Sequence, residues 1–181
     1  MTRLLATLAL FAVACDHSAA TAPSAATASS GATAPAPAAS LDPRAPVPMT
    51  AMMAAHHKRE MRDHLRVIQE ITAALATDDF DAIARSAARI GWSEQQAMMC
   101  KHMGAGAPGF SDVGEQFHHT ADGIVDAAKR HDHAAVTTAL AATVDRCVGC
   151  HESYREEIVD DAKMASLGGG AMGADCPMMK K

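Results

Sequence analysis

The sequence predicts an all-α protein, an antiparallel up-down four-helix bundle over residues 49–163 of a chain of 181 residues. Apolar side chains in this stretch recur at spacings of three and four, and no part of it alternates as a half-buried strand does. Short polar or glycine-containing segments divide the pattern into four helices, and short links place consecutive helices antiparallel. Alanine occupies many positions on the apolar faces, which leaves room inside the bundle for a bulky apolar cofactor.

The first helix is predicted over about residues 49–76 and the second from about residue 80. The apolar stripe of the first helix comprises Met61, Leu65, Ile68, Thr72 and Leu75. Thr77-Asp78-Asp79 ends that helix and caps the next, because an aspartate side chain accepts hydrogen bonds from the free N–H groups at a helix start. The stripe of the second helix comprises Phe80, Ile83, Ala87 and Ile90, and Ser93 caps its continuation through Met99.

Glycines and Pro108 make residues 104–110 a loop that precedes the third helix. Ser111 caps this helix, whose stripe comprises Val113, Phe117, Ala121, Ile124 and Ala128. His131-Asp132 separates it from the fourth helix, which is predicted over about residues 133–163. The apolar side of the fourth helix includes Val136, Leu140, Val144, Cys147 and Tyr154.

The segments outside the bundle have the composition of export and tether sequences. Residues 1–14 combine a basic start with an apolar run of signal-peptide length. This run ends in A-V-A-C, which resembles a lipobox with Cys15 as the lipidated residue, and ordinary cleavage after Ala14 is the alternative. Residues 15–48 therefore predict the lipidated cysteine plus a disordered Ala/Pro/Thr/Ser linker, and residues 164–181 predict a flexible Met/Gly-rich tail. We expect a periplasmic protein, tethered to the membrane as a lipoprotein or otherwise secreted in soluble form.

The charge distribution narrows the classes of partner. The chain has 16 Lys and Arg against 21 Asp and Glu, a formal net charge of −5, and no basic block. We therefore do not expect nucleic acid as a partner. An acidic protein of this kind is suited to partner proteins that present basic surfaces. The sequence also lacks a nucleophile and base arranged for hydrolysis, so we expect a protein that is not an enzyme.

The stretch RCVGCHESYR, residues 146–155, carries the strongest chemical signal. On a helix, Cys147, Cys150 and His151 lie at i, i+3 and i+4 and share one face. C-x-x-C-H is the spacing of covalent haem c attachment, in which two thiols form thioethers and the imidazole binds iron. A redox dithiol requires a βαβ context, and a structural zinc site requires a second pair of ligands. One covalent haem c is therefore the prediction, against these alternatives and a chance match.

The longer stretch C-V-G-C-H-E-S-Y-R resembles the motif in the last helix of the cytochrome c prime family. The resemblance covers about residues 49–160 and is strongest in the fourth helix. It implies an exported monohaem four-helix cytochrome, often a homodimer, with His151 as the proximal iron ligand and thioethers at Cys147 and Cys150. It also implies that Tyr154 and Arg155 lie beside the proximal imidazole.

The resemblance further implies two features of the first helix. Family members often carry an arginine near a haem propionate, four residues before a methionine; here His57 holds that place and Arg59 is a nearby cation that can serve. Part of the family uses the methionine as the sixth iron ligand, and Met61 lies at about that position. In the other members the site is open and binds NO or CO. His57 or His64 are alternative ligands here.

A methionine opposite histidine stabilises ferrous iron and raises the reduction potential, which suits an electron carrier. The predicted function is therefore one-electron transfer with redox partner proteins in the periplasm or membrane, through a haem ligated by His151 and Met61. The alternative is a five-coordinate binder of NO or CO.

Two clusters and the tail suggest a third function. MMCKHM at residues 98–103, FHH at residues 117–119, and Cys176, Met178 and Met179 supply thiols, thioethers and imidazoles. These ligands suit Cu(I), so a copper-handling lipoprotein is the third hypothesis. The simpler interpretations are a Cys100–Cys176 disulfide, histidines that face solvent, and methionines that fill gaps around haem. Phe117 is expected to pack against the haem.

Overall fold

The protein, described here by a computed structural model over residues 41–169, is mostly helical, as the sequence predicts. The helices are α1 (Ala51–Leu75), α2 (Phe80–Ala88), α3 (Glu94–Met103), α4 (Phe110–Lys129), α5 (His133–Ser153) and α6 (Asp161–Ser166). Two short strands, β1 (Ala45–Met49) and β2 (Tyr154–Ile158), complete the described elements. No helix in residues 41–169 combines the length and apolar character needed to cross a membrane. The predicted signal peptide, Cys15 and the tail cluster around Cys176 lie outside these residues.

Side-chain caps determine where most of the helices begin. The N-cap side chain accepts a hydrogen bond from the main-chain N–H three residues on at Thr50, Asp79, Ser93, Asp132 and Asp160. The caps predicted at Asp79 and Ser93 are therefore confirmed. The cap predicted at Ser111 is wrong, because α4 begins at Phe110, after Gly109 with a φ of 81°. Ser111 Oγ instead donates to the Cys100 carbonyl at 3.0 Å and joins α4 to α3.

Two clusters of buried apolar side chains stabilise the fold. Helix α4 packs against α2, α3 and α5, and α1 packs against α2. The large core joins α1, α2, α4 and α5, and comprises Val67, Ile71, Ile83, Ala87, Ile90, Phe117, Ala121, Ile124, Ala127, Ala128 and Val136. The methionine-rich core joins β1, α1, α3, the start of α4 and α6, and comprises Val47, Met49, Met53, Ala54, Met103, Ala107, Phe110 and Met164.

The domain also contains one short strand pair that the sequence pattern did not predict. Strands β1 and β2 are parallel, with Ala45 opposite Tyr154 and Met49 opposite Ile158. Val47 and Met49 are almost fully buried, so this pairing places β1 in the methionine-rich core. Burial and main-chain hydrogen bonds, which act over more than a hundred residues of sequence, outweigh the helical preference of the local sequence.

The structure differs from the predicted bounds of the fourth helix, the linker and the tail. The fourth helix was predicted to reach residue 163, but α5 ends at Ser153 because the chain then pairs with β1. Residues 45–48, assigned to the linker, belong to β1. Met164, the first residue of the predicted tail, is buried in α6 because its side chain completes the methionine-rich core.

Candidate functional site

A cavity of about 890 Å³ lies within the described domain. Its walls come from α1, α3, α4, α5 and both strands, and they include members of both cores. The volume is within the range of roughly 300–1,000 Å³ that small-molecule and cofactor pockets span. The predicted site residues can therefore be judged by whether they line it.

The C-x-x-C-H residues all line this cavity. Helix α5 carries Cys147, Cys150 and His151 through its last two turns, so the predicted common face is confirmed. The two cysteines carry free thiols, and burial raises the pKa of both. The main-chain carbonyl of His151 accepts a hydrogen bond from Arg44 Nη1 at 3.1 Å. The strand that was not predicted thus approaches the end of the helix that carries the motif.

Tyr154 and Arg155 line the cavity from β2 rather than from α5. The Tyr154 hydroxyl donates to the Pro108 carbonyl at 3.1 Å, and its ring meets Phe110 edge-on at 5.3 Å. The Nε atom of Arg155 is buried and has no hydrogen-bond partner in the described structure. A buried guanidinium N–H with a free donor at a cavity wall suits an anionic group of a ligand.

Strand β2 is also fastened to α1 next to the cavity. His57 Nδ1 lies 2.9 Å from Glu156 Oε1, and Lys58 Nζ lies 2.9 Å from Glu156 Oε2. All three residues line the cavity. His57, one of the alternative iron ligands, is therefore engaged by a carboxylate.

The predicted stripe of α1 divides between the cavity and the core. Met61, Leu65 and Ile68 line the cavity, whereas the most buried face of the second half of α1 runs through Val67 and Ile71. Leu65 is 69% exposed although it is a large apolar residue. Met61 is half-buried. Both side chains therefore face the cavity rather than the large core.

His64 lines the cavity three residues after Met61, on the same face of α1. Its ring stacks on Phe117, with centroids 4.8 Å apart. Burial, helped by the neighbouring His118 and His57, lowers the pKa of His64 to about 4. The imidazole is therefore neutral at pH 7, and the ring has no hydrogen bond within residues 41–169. A neutral imidazole of this kind retains a lone pair for a metal.

His118, one of the two histidines of FHH at residues 117–119 that the copper hypothesis named, also lines the cavity. It is buried, and its Nδ1 lies 2.9 Å from the Ile90 carbonyl. Because a carbonyl only accepts, Nδ1 carries the proton and Nε2 is left as an acceptor. Burial lowers the pKa of His118. The sequence could have indicated that His118 faces inward, because it lies three residues before Ala121 on the predicted stripe of this helix.

The cations around the cavity differ from the predicted one. Arg59 does not line it and instead bonds His56 Nδ1 through Nη2 at 2.9 Å. The cations that do line it are Arg44, Lys58, Arg62, Arg146 and Arg155, against the anions Asp42, Glu60 and Glu156. Cations thus outnumber anions around the cavity of an acidic chain. Of these five cations, Arg146 alone could have been expected at the cavity from the sequence, because it directly precedes Cys147.

Within residues 41–169, no group of three or more His, Cys, Asp or Glu side chains is placed to hold a metal ion. The cavity combines a thiol pair and an imidazole on one wall with apolar side chains and basic groups around them.

Comparison of the chain with models of known families, with curated proteins and with solved structures found no match.

Proposed function

We propose that this protein is an exported monohaem c-type cytochrome that transfers single electrons, with haem c attached in the cavity. The proposed architecture is a four-helix bundle of the cytochrome c prime type, formed by α1, α2 with its continuation α3, α4 and α5. The observation that carries the proposal is that Cys147, Cys150 and His151 line one cavity together with Met61. Two thiols and an imidazole at this spacing are the donor set of haem c.

The rest of the cavity wall fits the same group. Leu65 and Val144 are 69% and 39% exposed and both line the cavity, so a flat apolar ring would cover them. Phe117 adds an aromatic wall. The buried Nε of Arg155 and the excess of cations around the cavity suit the two carboxylates of a haem.

Haem supplies the one-electron chemistry, and the protein supplies ligands, burial and electrostatics. His151 is the proposed proximal ligand and Met61 the proposed sixth ligand, since a thioether raises the reduction potential. His64 is the competing ligand, because it is neutral and lies on the same face of α1. Arg44 and β2 hold the end of α5, so they keep the His151 backbone in place.

The proposed setting is the periplasm, with a lipid anchor at Cys15 and redox proteins as partners. A tether at the N-terminus joins the domain through β1, next to the end of α5. An anchored carrier of this kind meets membrane and soluble partners alike.

The test is the visible spectrum of full-length protein made in a host that matures c-type cytochromes, recorded oxidised, reduced and with CO. Covalent haem with sharp low-spin bands indifferent to CO is the expected result. Broad high-spin bands that shift with CO would instead support the five-coordinate binder of NO or CO. Changing Cys147 and Cys150 to serine should abolish covalent haem, and the matched control Cys100→Ser should retain it. Haem that stays attached in the double variant, or never attaches to the wild type, contradicts the proposal.

A further inference from the structure

Helix α3 presents sulfur ligands to the cavity that the proposed haem attachment does not use. Met99, Cys100 and Met103 all line the cavity. With about 3.6 residues per turn, these three positions lie within an arc of roughly 100°, and Met103 lies between the other two. Met98, on the same helix, is 60% exposed and does not line the cavity.

The surroundings of this face are rich in thioethers from other elements. Met103 is buried in the methionine-rich core together with Met49 of β1 and Met53 of α1. Met99 packs against the same core. Met49 also lines the cavity. Methionines from three separate elements therefore share this core, and those of β1 and α3 also line the cavity.

The thiol of Cys100 is accommodated by a glycine on the facing helix. A Cβ atom at Gly114 of α4 would lie only 2.9 Å from Cys100 Sγ, so any larger residue there would displace the sulfur. Glycine in the middle of a helix weakens it relative to alanine. Burial, reinforced by the nearby Glu115 carboxylate, raises the pKa of the Cys100 thiol to about 11. The thiol is therefore neutral at pH 7 when no metal is bound.

We propose that Met99, Cys100 and Met103 form a second metal site, which binds one Cu(I) ion. Thiolate and thioether ligands are soft and select Cu(I) over the hard divalent cations. On binding, a bond forms between Cu(I) and Cys100 Sγ, and the thiol proton passes to solvent, so no electron is transferred. The site uses none of Cys147, Cys150 and His151, but it lies on the wall of the same cavity, and Cys100 is close to the Cys150 thiol.

The competing explanation is that these methionines only fill space, since methionine is an adaptable apolar side chain. Substitution of Met99 or Met103 by leucine distinguishes metal binding from space filling, because leucine keeps the apolar volume and removes the sulfur. Cys100→Ser similarly removes the soft ligand at small change in size. Met98→Leu is the matched control on the same helix, at a position outside the cavity.

The experiment is an anaerobic titration of haem-loaded, full-length protein with Cu(I) against a colorimetric Cu(I) chelator. We expect one Cu(I) per chain in the wild type and in Met98→Leu. We expect Met99→Leu, Met103→Leu and Cys100→Ser to bind at least about tenfold more weakly, the scale on which even outer-shell changes weaken metal sites. Haem spectra should stay unchanged in the two leucine variants, which shows that the domain is intact.

Three results would overturn the site: no Cu(I) binding, equal affinity in all the variants, or loss of binding in Cys176→Ser alone. If the chain never takes up haem, the titration is repeated with Cys147 and Cys150 changed to serine, because a free dithiol itself binds Cu(I). Dependence on Cys100 in that background would support the copper site even where the haem proposal has failed.

Discussion

Arg44 Nη1 donates a hydrogen bond to the main-chain carbonyl of His151, 3.1 Å away and 107 residues distant in sequence. Carbonyls in the last turn of a helix have no partner inside the helix, so an arginine from outside satisfies one of them. Asp42 holds the same guanidinium through Nε and Nη2. The residue directly before β1 is therefore bonded to the residue proposed as the iron ligand.

Arg44→Ala should loosen the end of α5 and the adjoining strand β2. Main-chain amides of residues 154–158 should exchange with solvent faster, because the substitution removes a hydrogen bond between the residue before β1 and the end of α5. Hydrogen exchange measured by NMR or mass spectrometry would detect this, with Arg59→Ala as the control on α1. Equal exchange in the two variants would mean that Arg44 does not hold the helix end.

Leu65 and Ile71 provide a paired test of the cavity. In haem-free protein, Ile71→Ala should lower the free energy of unfolding by about 2–5 kcal/mol, because Ile71 is fully buried in the large core. Leu65→Ala should change it by no more than about 0.5 kcal/mol, because Leu65 is largely exposed there. In haem-loaded protein, Leu65→Ala should become clearly destabilising. Urea unfolding of both forms measures this, and an unchanged Leu65 effect would argue that nothing covers this side chain.

A structural feature can be predicted from this sequence when the residues that determine it are neighbours along the chain. Caps and stripes are local, so the helix starts at Asp79 and Ser93 and the common face of the C-x-x-C-H residues follow from neighbouring residues. The β1–β2 pair has no local signal, because Pro46 and Pro48 interrupt the donors of β1 and the partner strand is distant in sequence.

The same limit applies to the site. The sequence placed Met61 on an apolar stripe, but a periodic pattern does not distinguish a core wall from a cavity wall. Arg44 reaches the site only through the unpredicted strand, so no spacing in the sequence indicates it. Arg59 was assigned from its distance to Met61 along the helix, and its side chain turns instead to His56.

Gly114 and Cys100 should be energetically coupled. Gly114→Ala alone favours the helix by up to about 1 kcal/mol, but the new Cβ would press on Cys100 Sγ at 2.9 Å. Overpacking of this kind typically costs about 1–3 kcal/mol, so the single variant should be less stable than the wild type. Cys100→Ala removes the sulfur, and the double variant should recover the helix benefit. Urea unfolding of all four proteins would measure the coupling, and additive effects would contradict the close approach.

Met61 and His64 compete for the sixth position, and paired variants separate them. In haem-loaded protein, Met61→Leu should convert the low-spin spectrum to a high-spin one that responds to CO, because leucine has no ligand atom. His64→Leu should leave the low-spin bands in place. The opposite pattern would assign the sixth ligand to His64 and imply a lower reduction potential.

The pKa of His64 predicts how haem-free protein responds to acid. The ordinary pKa of 6.5 falls to about 4 in the folded chain, so between these values the unfolded chain binds a proton that the folded chain does not. Stability therefore decreases as the pH falls from 6.5 to 4. At about 1.4 kcal/mol for each pH unit, His64 contributes a loss of at most roughly 3 kcal/mol across this window.

His64→Phe keeps a ring on Phe117 and removes the titrating group, so its free energy of unfolding should fall less steeply over the same window. His118 also has a lowered pKa, and it remains in the variant, so the difference between the two curves isolates His64. Leu65→Ala, on the same side of α1, is the control, and it should keep the wild-type slope because leucine does not titrate. Urea unfolding at pH 4, 5, 6 and 7 gives the four free energies for each protein. Parallel curves for wild type and His64→Phe would mean that His64 titrates alike in both states, and that the ring is not held neutral by burial.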